Sequence, residues 1–214
     1  MSNDISVNKN EFAYKSIKDA IITGVVSNES PISENIFVEK LKISRTPIRA
    51  ALQKLQYENF IKIVPNQGII INELTLKEAN QLFDLRITLE TFMLEQTIPF
   101  VTDGDIKELN ECLDEQTKIL KSGNINNFFK ADLKFHALTY KYYDNEQMKG
   151  IVENCRGRFA AYHQKSFSRK NRIEIVIGEH KAIVNAIGKK DISNAKKLLY
   201  EHVSNGVMAL LRMR

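Results

Sequence analysis

Apolar and polar positions along the chain change period twice, and those changes divide it. Tyr14, Ile17, Ile21 and Val25 space a first helix, and Ile36, Phe37, Lys40 and Leu41 space a short second one with Ser33 as its N-cap. Within residues 44–55, Ile48, Ala51, Leu52 and Leu55 fall at i, i+3, i+4 and i+7, the spacing of one buried helical face. The period then shortens. Residues 60–64 and 69–71 are rich in β-branched side chains and are separated by Pro65, Asn66, Gln67 and Gly68, a turn with Asn and Gly available for positive φ. Three helices followed by a hairpin predict a winged helix-turn-helix.

Beyond the hairpin the helical period returns and holds to the end of the chain. Thr75, Leu76, Lys77 and Glu78 form a capping-box sequence. Breakers at Pro99, Gly104, Gly123, Asp144-Asn145 and Gly188 divide the remainder into six helices, at about 75–98, 103–121, 125–143, 145–168, 171–187 and 191–212. No strand pattern interrupts them. The expected fold is mainly α: a winged helix-turn-helix over residues 1–72, then an antiparallel six-helix bundle over 73–214.

Composition narrows the class. With 214 residues and 43% apolar content the chain can bury a substantial core, and no apolar run approaches the ~20 residues that cross a membrane. A polar N-terminus carrying Asp4 is no secretory signal, so a cytoplasmic location is expected. Cys112 and Cys155 are too few for a disulfide framework and read as buried free thiols. The net charge of +5 is spread thinly, with 9 Lys/Arg against 7 Asp/Glu in residues 1–72. If the first domain grips DNA, it does so through specific contacts and dimerisation, not through a strongly basic patch.

Two sets of polar residues carry chemistry. Arg45, Arg49, Gln53 and Gln56 line the face of the third helix opposite its apolar stripe, two arginines near the N-terminus and two amides behind them. Arg pairs bidentately with guanine and Gln with adenine, so this face has the chemistry of a major-groove reader. An ordinary solvated face is the alternative. Ser44, at the front of this helix, and Asn66, in the hairpin turn, join the candidate DNA-contacting set. In the bundle, His180 and His202 fall inside apolar stripes, and Asp132 and His136, one turn apart, share a face with Phe128, Phe129 and Phe135. A carboxylate in an apolar stripe needs compensation. Three imidazoles and one carboxylate converging in a bundle core would supply it by holding a divalent metal, zinc first, with nickel and manganese as alternatives. Against this stand satisfied core histidines and a neutral Asp132–His136 pair. His163, among polar neighbours, is read as exposed and set aside.

Residues 44–49, Ser-Arg-Thr-Pro-Ile-Arg, with Ala51-Leu52 and the Pro-x-x-Gly turn, resemble the N-terminal domain of the GntR superfamily of bacterial transcription regulators over about residues 11–72. The resemblance implies that Arg45, Thr46 and Arg49 contact DNA and that Gly68 lets the wing approach the minor groove. Ser30-Pro31, Ala50, Asn35 and Gln67 depart from the usual pattern, which implies fewer cationic contacts. The bundle is similar to the FCD effector-binding domain of the FadR branch, which implies a metal held by Asp132, His136, His180 and His202. It also implies a small organic acid as effector, bound at an open metal position; Arg86 and Glu90 on the first bundle helix are candidate contacts, as is Tyr140, which with Tyr143 follows His136 at i+4 and i+7. Arg86 with Glu90 also reads as an exposed i, i+4 ion pair, and Tyr140 and Tyr143 as packing residues. The expected function is a ligand-responsive regulator, a repressor by preference, acting as a homodimer on a palindromic operator in double-stranded DNA. Two alternatives are a metal-responsive regulator and a metal-dependent hydrolase; the second has little use for an N-terminal DNA reader, and no enzyme activity is expected.

Overall fold

The structure is a computed structural model that describes residues 2–27, 32–123, 127–163 and 170–211, and the side chains of all of these except 2–8, 162, 163, 170, 207 and 209–211. Ser30, Pro31 and the His163 side chain lie outside the described set. The chain divides into two compact units, Met1–Glu73 and Leu74–Arg214.

In the first unit α1 (Ser2–Ile22) and α2 (Glu34–Leu41) pack on α3 (Arg45–Tyr57). Ala13, Ile17 and Ile21 of α1 meet a stripe of Ile48, Ala51, Leu52 and Leu55 on α3, each at most 3% exposed. Burial of that one face orients the helix, because its other face is polar throughout. Val25, expected on the first helix, is 63% exposed: Gly24, at φ +71°, ends α1 before it, and Val26 is buried instead. Ser33 and Ser44 occupy the N-cap positions of α2 and α3, yet neither side chain makes a capping hydrogen bond.

The wing is an antiparallel pair, β1 (Ile61–Val64) and β2 (Gly68–Ile71), with Ile61 opposite Ile71 and Val64 opposite Gly68. Asn66 (φ +63°) and Gly68 (φ +94°) supply the positive angles that the turn needs. Gly68 is also held by packing. Ile69 N donates to Ile32 O at 2.9 Å, and a Cβ on Gly68 would lie 2.5 Å from that same oxygen. The glycine therefore has a reason in the fold that is independent of any approach to a groove.

The second unit contains six helices among the described residues: α4 (Leu76–Thr97), α5 (Asp103–Ser122), α6 (Phe128–Thr139), α7 (Glu146–His163), α8 (Lys170–Gly188) and α9 (Ile192–Leu211), with a 3₁₀ turn at Ile98–Phe100. Thr75 with Glu78 and Thr102 with Asp105 form complete capping boxes that start α4 and α5. Neighbouring helices pack α4 on α7 and α9, α5 on α6 and α8, and α8 on α9, around a core that includes Leu94, Leu109, Phe135, Ile183 and Leu199. The third bundle helix is shorter than expected. It ends at Thr139, and the chain turns through Tyr140 to Asn145, whose Oδ1 accepts from Met148 N at the start of α7. Among the described residues no helix is long and apolar enough to cross a membrane.

Candidate functional site

The α3 stripe that docks the helix leaves its polar face outside. Ser44, Arg45, Thr46, Arg49 and Gln53 are all exposed, as is Asn66 at the wing tip. Arg45 and Arg49 keep 63% and 64% of their side-chain surface, enough to reach a second molecule without rebuilding the core. They are not unattached. Arg49 Nε donates to Glu34 Oε2 at 2.8 Å, and Arg45 Nη2 donates to Asn35 Oδ1 at 3.2 Å, so both guanidinia lean on the first turn of α2.

The second constellation is buried. Asp132 and His136 on α6, His180 on α8 and His202 on α9 each offer one ligand atom, and these four atoms lie within 4.8 Å of one another. His136 Nε2 is 3.1 Å from His202 Nε2, and Asp132 Oδ1 lies 3.5 Å from His180 Nε2 and 4.0 Å from His136 Nε2. Donors about 2.1 Å from one ion sit about 3 to 4 Å from each other, so the spacing fits a divalent metal.

The proton positions fit it as well. Gln116 Nε2 donates to Ala131 O at 3.3 Å, which turns Gln116 Oε1 toward His180 Nδ1 at 3.0 Å. His180 Nδ1 then carries the proton, and its Nε2 is a bare, buried nitrogen with no hydrogen-bond partner. His202 Nδ1 faces Glu179 Oε2 at 2.8 Å. His136 Nδ1 lies 3.0 Å from Glu90 Oε2, close though not aligned as a hydrogen bond. All three imidazoles thus have an acceptor behind Nδ1 and present Nε2 to one point, the arrangement that carboxylate and carbonyl partners impose on metal-binding histidines. Burial, reinforced by the Arg156 guanidinium, drives His136 down to about 3. Burial and the neighbouring imidazoles take His180 well below its ordinary value. Both rings are neutral at pH 7, which leaves a lone pair free for a cation.

Behind the imidazoles runs an ionic network that the sequence only half disclosed. Glu90, fully buried, takes Arg86 Nε at 2.7 Å on Oε1 and Arg156 Nη1 at 3.0 Å on Oε2. Arg156 also donates through Nη2 to Asp132 Oδ2 at 2.6 Å, the oxygen that does not face the histidines. Burial would raise both carboxyls, but Arg86 and Arg156 hold Glu90 well below the carboxylate range, and Arg156 lowers Asp132 from its ordinary value. Arg86–Glu90 is thus a buried pair and not the exposed one that sequence spacing also allowed. Gln116 and Arg156 escaped notice, yet each interrupts an apolar stripe: Leu109, Cys112 and Leu113 precede Gln116, while Val152, Cys155, Phe159 and Ala160 flank Arg156. The signal that marked the histidines marks them too.

A cavity of about 60 Å³ opens beside this cluster, lined by Asp132, His202, Arg86, Arg156, Arg172 and phenyl groups such as Phe129. Of the three candidate effector contacts only Arg86 lines it. Glu90 lies behind Arg86 and Arg156. Tyr140 is buried among Met93 and Val152, and Tyr143 packs edge-on against Phe92. The i+4 and i+7 extrapolation from His136 failed because α6 stops at Thr139.

Comparison with known proteins agrees with this division. The family model "Bacterial regulatory proteins, gntR family" matches residues 9–71, and the model "FCD domain" matches residues 81–205. The chain is 24% identical over 193 residues to an uncharacterized HTH-type transcriptional regulator, YdhC, of Bacillus subtilis, covering 90% of this chain and 86% of the relative. It is 25% identical over 184 residues to the gluconate operon transcriptional repressor of the same organism, covering 84% and 75%. Among solved structures, Escherichia coli McbR/YncC superposes with a TM-score of 0.86 at 17% identity, over 95% of this chain and 97% of that one, which establishes the fold.

Proposed function

Because the chain belongs to the gntR family of bacterial regulatory proteins and carries an FCD domain, it is a DNA-binding transcription regulator, and we propose that it is a repressor whose grip on its operator is set by a small carboxylate held at a metal in the helical unit. The observation that carries this reading is the convergence of three imidazole Nε2 atoms and Asp132 Oδ1 on one buried point beside a cavity with arginine walls. Asp132, His136, His180 and His202 hold the ion, zinc by first choice. When bound, it supplies a Lewis-acidic coordination position for an anionic oxygen.

The chain's own residues do the rest. Arg86, Arg156 and Arg172 provide guanidinium donors for carboxylate oxygens, and Phe128, Phe129 and Phe159 exclude water from the ligand's carbon side. The small volume favours a ligand of a few carbon atoms. The ligands come from α6, α8 and α9, so occupancy ties three helices together. Output passes to Arg45, Thr46 and Arg49 on α3, with Ser44 and Gln53 beside them and Asn66 and Gly68 on the wing. We assign them to operator DNA, the arginines to base edges in the major groove. Two subunits pair through exposed apolar residues of the helical unit, among them Leu85 and Phe92 of α4 and Ile151 of α7, each 44–46% exposed. The repressor sign rests on likeness to the gluconate operon repressor.

The test is metal analysis of the full chain purified without chelator, beside a His180→Ala variant, together with titration of operator DNA as free metal and small organic acids are varied. One metal per chain in the wild type and none in the variant is the expected result. Equal emptiness would overturn the metal reading. DNA binding that follows free metal alone, indifferent to every acid, would make the ion itself the signal.

A further inference from the structure

The reading helix does not stand alone. Glu34 lies in the first turn of α2, where the positive end of the helix favours a carboxylate and fixes it to a rigid element. Its side chain is only 25% exposed, although it faces two arginines that are each more than 60% exposed. Oε2 accepts from Arg49 Nε at 2.8 Å. Oε1, shielded from solvent and without a hydrogen bond of its own, faces Arg45 Nε at 4.0 Å. Arg45 is further held through Nη2 by Asn35 Oδ1, one residue along α2.

Arg49 is therefore held through Nε, and Arg45 through Nη2 with the Glu34 carboxylate near its Nε. A bidentate contact with guanine uses the far edge of the fork, and a flexible arginine must give up rotamer freedom to place that edge. A carboxylate on a neighbouring helix removes that freedom before DNA arrives. It also cancels one of the two positive charges, which weakens attraction to any phosphate backbone whatever its sequence. The two effects act in the same direction on discrimination: less sequence-blind affinity and better aim.

We propose that Glu34 is a specificity-determining residue of the reading head, a positioning carboxylate that presets Arg45 and Arg49 for base edges and suppresses binding to non-operator DNA. Asn35 serves the same end through Arg45 alone. This rests on the assignment of Arg45 and Arg49 to bases.

The experiment uses the full-length protein with two duplexes: one enriched by the wild type from a random library, and a scrambled duplex of the same composition. Glu34→Gln keeps the shape and removes the charge. The expected result is tighter binding to the scrambled duplex, with the slope of log K against log salt steeper by about one. Binding to the enriched duplex weakens, so that the ratio of the two falls about tenfold. Asn35→Ala leaves the scrambled duplex unchanged and relaxes preference only at the base pairs read by Arg45. Glu34→Asp, one methylene shorter, recovers part of the ratio. Parallel tightening on both duplexes by Glu34→Gln, with the ratio kept, would reduce Glu34 to a charge and overturn the proposal, as would an unchanged ratio in both the Glu34→Gln and Asn35→Ala variants. Arg49→Ala in the same titration separates the premises: if it binds the enriched duplex like wild type, the base-reading assignment fails, and Glu34 is not the cause.

Discussion

Arginine–carboxylate pairs occur in both units, on opposite sides of the water boundary. Arg49 with Glu34 is open to solvent, while Arg156 with Glu90 and Asp132 is closed off, its side chain 3% exposed. An exposed pair of this kind contributes about 0–1 kcal/mol, enough to bias the guanidinium while its outer edge stays free. A buried one cannot be exchanged without leaving a desolvated charge behind. On the proposed reading, the α3 arginines are aimed but stay open to a partner, while the buried network in the bundle fixes the donor atoms in place. Sensing needs the second property and reading the first.

The comparison breaks most directly at Arg156. Arg156→Met keeps the volume but leaves Asp132 without its guanidinium and Glu90 with Arg86 alone, and a broken buried pair costs about 3–5 kcal/mol. At roughly 2–4 °C per kcal/mol, the calorimetric melting temperature of the helical unit falls by about 10 °C. A loss no larger than that of a surface variant would mean that the buried network is not what holds the donors.

Acid provides the next largest effect, and its sign is fixed. His136 binds its proton at about 3 when folded and near 6.5 when unfolded, so between those values the unfolded state carries more protons. Stability from this group is complete above pH 6.5 and is lost as pH falls toward 3, at up to about 1.4 kcal/mol per pH unit. Glu90 and Asp132, held down in the fold, add losses of the same sign at lower pH. In metal-free protein, amide protection factors, which correct for the intrinsic exchange rate at each pH, should therefore fall in α6, α8 and α9 as pH drops from 6.5 to 5. Flat protection across that interval would show that the imidazoles are not buried neutral.

Legibility in the sequence followed the same boundary. The α3 stripe and the Thr75 capping box were readable because local spacing decides them, and the inward faces of His136, His180 and His202 were readable because a polar residue in an apolar stripe is conspicuous. Which partner each buried group finds is decided by helix packing, which spacing along one helix does not contain. Glu90 was noticed, but its second arginine sits 66 residues away. Tyr140 was misplaced because Thr139 ends α6 with no glycine or proline to mark the stop. Gly68 was recognised as a turn glycine, but the Ile32 carbonyl that excludes a side chain there comes from outside the hairpin.

Gly68→Ala measures how much of the wing depends on that packing. A methyl at φ +94°, 2.5 Å from Ile32 O, forces strain of about 1–3 kcal/mol, read as a lower unfolding midpoint of the first unit. If the midpoint holds while operator affinity falls, the glycine serves DNA and not the fold.

The smallest expected effect on stability is also the sharpest contrast. Arg49→Ala removes an exposed guanidinium whose one short partner, Glu34, can return to water, so thermal stability should shift by no more than about 0.5 kcal/mol. Operator affinity should nevertheless fall by about 1–3 kcal/mol, roughly 5- to 150-fold, because the lost group is exposed for a partner the free protein lacks. In Arg156→Met the balance is reversed, with a large loss of stability and DNA affinity changed only through the fold. Measuring both variants by calorimetry and operator titration gives four numbers with a definite pattern. If Arg49→Ala melts early, or leaves operator binding intact, the exposed arginines belong to the scaffold and the division between a rigid sensor and a free reading face is lost.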